Sequence, residues 1–213
     1  MAKTKSFDIH TNEYDNWFIK NKYIYQSELN AVKYFTPSRK VGLEIGAGTG
    51  RFAVPLNIQF GLDPSDQMIK VAKSRGLKVF KGIAEQLPIK DEIIDFALMI
   101  TTVCFVDDLS QSFKEVKRIL KPDGSFIIGF VDKNSTLGKE YQKKGKKSKF
   151  YGDAAFYSTS KIMKCLKTTG FLDCEIIQTV FEKQNKSIQP FRAGYGEGSF
   201  VVIKIKNFKE GKK

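Results

Sequence analysis

Apolar residues recur near helical spacing through residues 10–36, at Tyr14, Trp17, Phe18, Tyr23, Ile24, Leu29, Val32 and Phe35, and Pro37 stops the pattern. That periodicity predicts helix, within a helical cap over residues 8–37. Beyond it the grammar changes to short β-branched or aliphatic runs separated by helix-forming stretches. Strands are predicted at 41–45, 58–62, 77–80, 93–100, 125–131, 174–181 and 200–205, and helices at 66–74, 109–120 and 158–168. The Pro-Asp-Gly at 122–124 reads as a turn before the fifth strand. Runs such as FALMI and FIIGFV are continuously apolar, as strands buried on both faces of a parallel sheet must be. The pattern predicts an α/β fold, a doubly wound, mostly parallel sheet of seven strands in one domain spanning 1–213. No clear helix occupies 182–198, so the last two strands fit an antiparallel pair at the sheet edge.

A chain of 213 residues can bury ~70% of its unfolded surface, and 18 Phe exclude a low-complexity reading. The longest nearly apolar run, 96–106, is too short for a membrane span, which needs ~20 residues. The opening MAKTKSFDIH has no apolar signal segment, and Cys104, Cys165 and Cys174 lack metal-ligand spacing. A cytoplasmic protein with neither a disulfide scaffold nor a metal is the expectation. Net charge is +13, but residues 139–149 hold six Lys against one Glu, and 204–213 hold five Lys against one Glu. The excess therefore sits in a loop and a tail rather than on a face. Solvated lysines are the plain reading; attraction of an anionic acceptor, or of RNA or DNA, are the others.

The most informative segment is VGLEIGAGTGRFA at 41–53, an apolar strand followed by Gly46, Gly48 and Gly50. Glycines at a strand-to-helix turn permit positive φ and let a ligand approach bare backbone. A side chain at Gly46 is expected to fill the ligand's path. Free N–H groups of a following helix would favour negative or polar ligand groups. Glu44 lies inside the strand, where a carboxylate must meet a ligand amine or buried donors. Asp63 ends the next strand, placed to accept from two ribose hydroxyls or, alternatively, to cap the helix ahead of Pro64. A dinucleotide fingerprint reads G-x-G-x-x-G, whereas this run is G-A-G-T-G beside an acid. An acid opposes a pyrophosphate but suits a ligand carrying an ammonium and a sulfonium. Electrostatics thus favour a methyl donor over a nicotinamide or flavin.

In LEIGAGTGR (43–51), GLDPSDQM (61–68), GIAEQLPIKDEIIDFALM (82–99) and EVKRILKPDGSFII (115–128), the chain resembles class I S-adenosylmethionine-dependent methyltransferases of the small-molecule, type 11 group. The motifs follow the family's order and spacing over roughly residues 8–206. The resemblance implies S-adenosylmethionine as methyl donor, S-adenosylhomocysteine as product, and a small polar or anionic molecule as acceptor. It places backbone of Gly46, Ala47, Gly48 and Gly50 along the donor's methionine end, with Glu44 near the ammonium and Thr101 in contact. Asp63 would hold the ribose, and Pro64, Met68, Ala84 and Glu85 the adenine. The family often carries Asp where Ile83 stands, so Glu85 or a backbone carbonyl must take the adenine amino group. The segment 52–59, which contains Pro55, would be only a helical stub.

Methyl transfer needs alignment rather than a covalent catalyst, and the chain offers no Ser/His/Asp set. His10, the single histidine, and Tyr14, in the helix that the family folds over the donor, are candidates for catalysis; Tyr14 is also a cofactor candidate. Trp17 and Phe18 read as core or lid packing. Lid insertions are expected at 132–157 and 182–198, with Phe105, Tyr151 and Arg192 in the acceptor pocket. Arg192 would clamp a carboxylate or phosphate. The Asn/Asp-Pro-Pro-aromatic tetrapeptide of base methylation is absent, since the segment reads ITTVCF. Cys104 has no adjacent proline and reads as an inert thiol. Nucleic acid is thus not the expected partner, and a monomer or homodimer is the expected assembly. An RNA-modifying enzyme using the lysine loop and a non-catalytic donor-binding module are the alternatives.

Overall fold

The computed structural model describes residues 3–208; the tail lysines from residue 209 onward lie outside the described residues. Three helices come first: α1 (Lys5–Ile9), α2 (Thr11–Lys20) and α3 (Lys22–Phe35). The helical stretch anticipated over 10–36 is therefore broken at Asn21 and preceded by a further short helix ending at Ile9. At Asn21 the break has a visible cause. Its side-chain amide donates to the Trp17 carbonyl at 2.9 Å. Asn185, from a loop remote in sequence, accepts from the backbone amides of Tyr23 and Ile24 at 2.9 and 3.3 Å. The first amides of a helix lack intrahelical partners, so an acceptor supplied by tertiary contact marks where α3 begins.

The chain continues as β1 (Gly42–Ile45), β2 (Phe60–Asp63), α4 (Asp66–Ser74), β3 (Lys78–Lys81), β4 (Ile94–Ile100), α5 (Leu109–Ile119) and β5 (Leu120–Val131). Then follow α6 (Thr136–Lys144), α7 (Thr159–Thr168), β6 (Leu172–Thr179), β7 (Arg192–Ala193) and β8 (Phe200–Lys206). One sheet runs in the order β3-β2-β1-β4-β5-β8-β6-β7. The first five are parallel, and β8 lies antiparallel between β5 and β6. The strand beyond the seven anticipated is β7, two residues long, within the segment 182–198. Between β1 and β2 residues 51–57 form turns, not the stub of helix. The Pro-Asp-Gly lies within β5, where Asp123 takes φ +61, and breaks its register against β4 between the pairs Ile94–Leu120 and Phe96–Ser125.

Both faces of the sheet are covered. Along β4 the side chains alternate as the pleat requires. Ala97 and Met99 pack with Phe113 and Val116 of α5 and Ile162 and Leu166 of α7. Phe96, Leu98 and Ile100 pack with Val32 and Phe35 of α3 and Ile69 and Ala72 of α4. Among the described residues no helix is long and apolar enough to cross a membrane. In such open α/β sheets the crevice for a ligand lies beyond the carboxyl ends of the strands.

Candidate active site

β1 ends at Ile45, and the chain turns over its own tip through Gly46 at φ +71 and Gly48 at φ +52. A Cβ added to Gly46 would stand 2.4 Å from the Thr102 side chain. A larger residue there collides with the protein's own wall before it reaches a ligand, which revises the expected effect of substitution. The loop's amides are also spoken for. Gly46 and Ala47 donate to the Leu62 carbonyl at 2.7 and 3.0 Å, Gly48 to Asp63 Oδ2 at 2.8 Å, and Gly50 to the Ala47 carbonyl at 2.9 Å. The loop therefore presents bare, closely approachable backbone rather than an array of free donors, and no helix follows it.

Over this tip lies a cavity of about 400 Å³, within the range of small-molecule sites. Of the anticipated residues it is lined by Tyr14, Gly46, Gly48, Asp63, Pro64, Met68, Ala84, Glu85, Thr101, Phe105 and Tyr151. Glu44, Ala47, Gly50, His10 and Arg192 are not among its lining residues. His10 sits at the surface with Nδ1 3.1 Å from Glu13, lining a separate hollow beside α4. Arg192 lies on the outermost strand, exposed, 3.4 Å from Glu197 and over the Phe181 ring. Cys104 lies outside the cavity lining, and burial pushes its thiol up to about 12.

The carboxylates explain much of the site. Asp63 is buried and accepts from the backbone amides of Gly48 and Ser65 at 2.8 and 2.9 Å. Burial lifts its pKa to about 6 against those two donors. It is not the helix cap; Ser65 is, with Oγ accepting from Met68 N at 3.2 Å. Glu44 accepts from Ala53 N at 2.8 Å and braces the turn after the glycines, and burial raises its pKa to about 8. Glu85 accepts from the Asp107 and Asp108 amides at 2.7 and 3.3 Å, tying the wall beyond β3 to the approach to α5. Thr101 holds φ +53, left-handed backbone that costs a β-branched residue about 1–3 kcal/mol and concentrates at functional sites.

Sequence reading passed over Phe7, Glu28, Thr102 and Val131, and reached Tyr141 and Phe150 only as part of the lid segment 132–157. Phe7 stacks edge-on against Tyr14 and Phe105 at 5.8 and 5.0 Å, and Tyr141 stacks on Tyr151 at 4.8 Å. Most of these are aromatic or aliphatic side chains, indistinguishable from core in one dimension. Glu28 did carry a signal: it stands at helical spacing from Ile24 and Val32, an acid on the buried face of α3.

A methyltransferase-domain family model matches residues 43–128. A Thermotoga maritima crystal structure, described as a SAM-dependent methyltransferase and possible histamine N-methyltransferase, superposes with a TM-score of 0.92 at 48% identity, covering 95% of this chain and 98% of that one. This chain belongs to the S-adenosylmethionine-dependent methyltransferases. An uncharacterized protein of Methanocaldococcus jannaschii is 46% identical to this methyltransferase over 92% of the chain and 96% of that protein. The family supplies the methyl donor; which cavity wall takes it is a question for the geometry.

Proposed function

We propose that this methyltransferase holds S-adenosylmethionine against the tips of β1 and β2 and methylates a small molecule in the aromatic half of the same cavity. The observation that carries the reading is that bare Gly46–Gly48 backbone and the Asp63 carboxylate open into one enclosed space. Asp63 keeps lone pairs for ribose hydroxyls beside its two amide bonds. Met68, Pro64 and Ile83 offer an apolar slot to a flat base. The donor brings an electrophilic methyl on a sulfonium; the chain aligns the reactants, excludes water and balances charge. Tyr14 takes part as a contact over Gly48, where an added Cβ would stand 3.3 Å from its hydroxyl. Burial, first, and the nearby Asp63 and Glu44 hold that phenol far above its ordinary pKa, so it serves as a neutral hydrogen-bonding group rather than a base.

The acceptor half is closed by Phe105, Tyr141, Phe150 and Tyr151, three of them from the segment 132–157. An enclosed volume of this size suits a small molecule, and histamine in the Thermotoga relative's description is one. Arg192, a reason to expect an anion, lies outside the cavity. Titration calorimetry with S-adenosylhomocysteine tests the donor half. Wild type should bind, and Asp63→Asn should lose roughly 10- to 100-fold in affinity, the worth of hydrogen bonds to a charged group. Absence of binding by wild type, or equal binding by the variant, would refute the placement. Formation of S-adenosylhomocysteine from S-adenosylmethionine in a screen of small metabolites separates an enzyme from a binding module.

A further inference from the structure

Glu28 is 5% exposed and lines the cavity, yet among the described residues no hydrogen bond or ion pair engages its carboxylate. Every other acid on the lining has a partner: Asp63 and Glu85 accept backbone amides, and Asp107 lies 3.7 Å from the ammonium of Lys3. Buried carboxylates without a protein partner are costly, and one that faces a cavity is satisfied by water or by a ligand that displaces it. The position is also specific. α3 packs over β5, β6 and β8, whereas Asp63 stands on β2, on the opposite side of β1 and β4 in the sheet order. Glu28 lines the same cavity as Tyr14, Tyr141 and Tyr151.

Resting on the methyltransferase reading above, we infer that Glu28 anchors a protonated amine of the methyl acceptor, with the surrounding rings forming the rest of an ammonium-binding box. Carboxylate and aromatic faces are the two groups that hold a desolvated ammonium. The charge of the lining agrees. Among the described residues the lining carries four acids, Glu28, Asp63, Glu85 and Asp107, and one cation, Lys3, although the chain as a whole is strongly basic. That excess of acids disfavours an anionic acceptor and favours a cationic one. Burial alone raises the Glu28 pKa to about 8, so in the free protein near neutral pH it is mostly protonated. An ammonium seated against it favours the charged form, and binding then releases a proton. The titratable groups facing it, Tyr14, Tyr25, Tyr141 and Tyr151, are all raised by burial and stay neutral, so they do not supply that proton.

The test is calorimetry of the protein saturated with S-adenosylhomocysteine, titrated near neutral pH with tyramine, with neutral tyrosol and with anionic 4-hydroxyphenylacetate. Buffers of different ionisation heat count the protons released. Tyramine should bind best and release roughly one proton. Glu28→Gln should lower tyramine affinity roughly 10- to 100-fold, abolish the release and leave S-adenosylhomocysteine affinity unchanged. Glu28→Met serves in its place if the Gln variant does not fold. Tyramine binding that is absent, equal in the variant, or matched by either analogue overturns the amine anchor while the donor site stands. Failure of wild type to bind S-adenosylhomocysteine overturns both.

Discussion

Two glutamates, Glu28 and Glu44, are buried deeply enough to hold their carboxyl pKa values near 8, each for want of water. They differ in what replaces the water. Glu44 receives the Ala53 amide and braces the glycine turn, whereas Glu28 receives nothing from the described protein. A folded-state pKa raised above its unfolded value of ~4.3 contributes stability in full below that value, and loses it as pH rises through the folded value. Glu28→Gln removes the loss at one site and leaves Glu44 in place. The melting temperature of the variant should therefore gain on wild type between about pH 4.5 and 8, then level off. Thermal melts across that range check it, and a difference that stays flat would mean Glu28 is not raised. Gly46 gives the companion lesson: with φ +71 and Thr102 at its back, it is glycine for the protein's own packing as much as for a ligand.

Among the elements, α2 brings Tyr14, Trp17 and Phe18 to the cavity wall, and Asp15 ties it to the turns after β1 and to the end of α4. Asp15 accepts from Thr49 Oγ1 at 2.7 Å, from Arg51 Nε at 2.8 Å, and from both terminal nitrogens of Arg75 at 2.8 and 2.6 Å. Burial works against this carboxylate, but the hydrogen bonds from Arg75, Arg51 and Thr49 outweigh it and hold its pKa well below the usual range. Asp8 adds a second tie from α1, accepting from Ser65 Oγ at 2.6 Å. Asp15→Ala should cost about 1–3 kcal/mol, since it strands two guanidinium groups that are part solvated. It should also act locally. Hydrogen exchange is expected to quicken first in α1 and α2, while β4 and β5 keep their protection. Uniform loss of protection would show that the cap and sheet unfold as one unit.

At the scale of the molecule, charge is partitioned: an acid-lined cavity inside a chain of net charge +13. Enclosed charges escape much of the salt screening that surface lysines feel. Turnover of a small acceptor should vary less than about threefold between about 50 and 200 mM salt, whereas an acceptor held by 6–10 phosphate contacts would lose roughly 10³–10⁵ in affinity. A steep salt dependence of turnover would restore the RNA reading of the lysine loop.

What the amino-acid order determined alone is the part of the molecule written in short-range chemistry. Strand-length apolar runs, the glycines at 46, 48 and 50, and Asp63 at a strand end were legible because period, φ and chain distance are local properties. They led to the sheet, the family and the donor. Tertiary structure alone decided which side chains share the cavity. Asn185 capping α3, Glu44 turning to Ala53, Arg192 landing on the outermost strand and Glu28 reaching the aromatic half all join or part residues remote in sequence. Whether a buried charge has a partner depends on what the fold brings within hydrogen-bond distance, and no spacing along the chain encodes that.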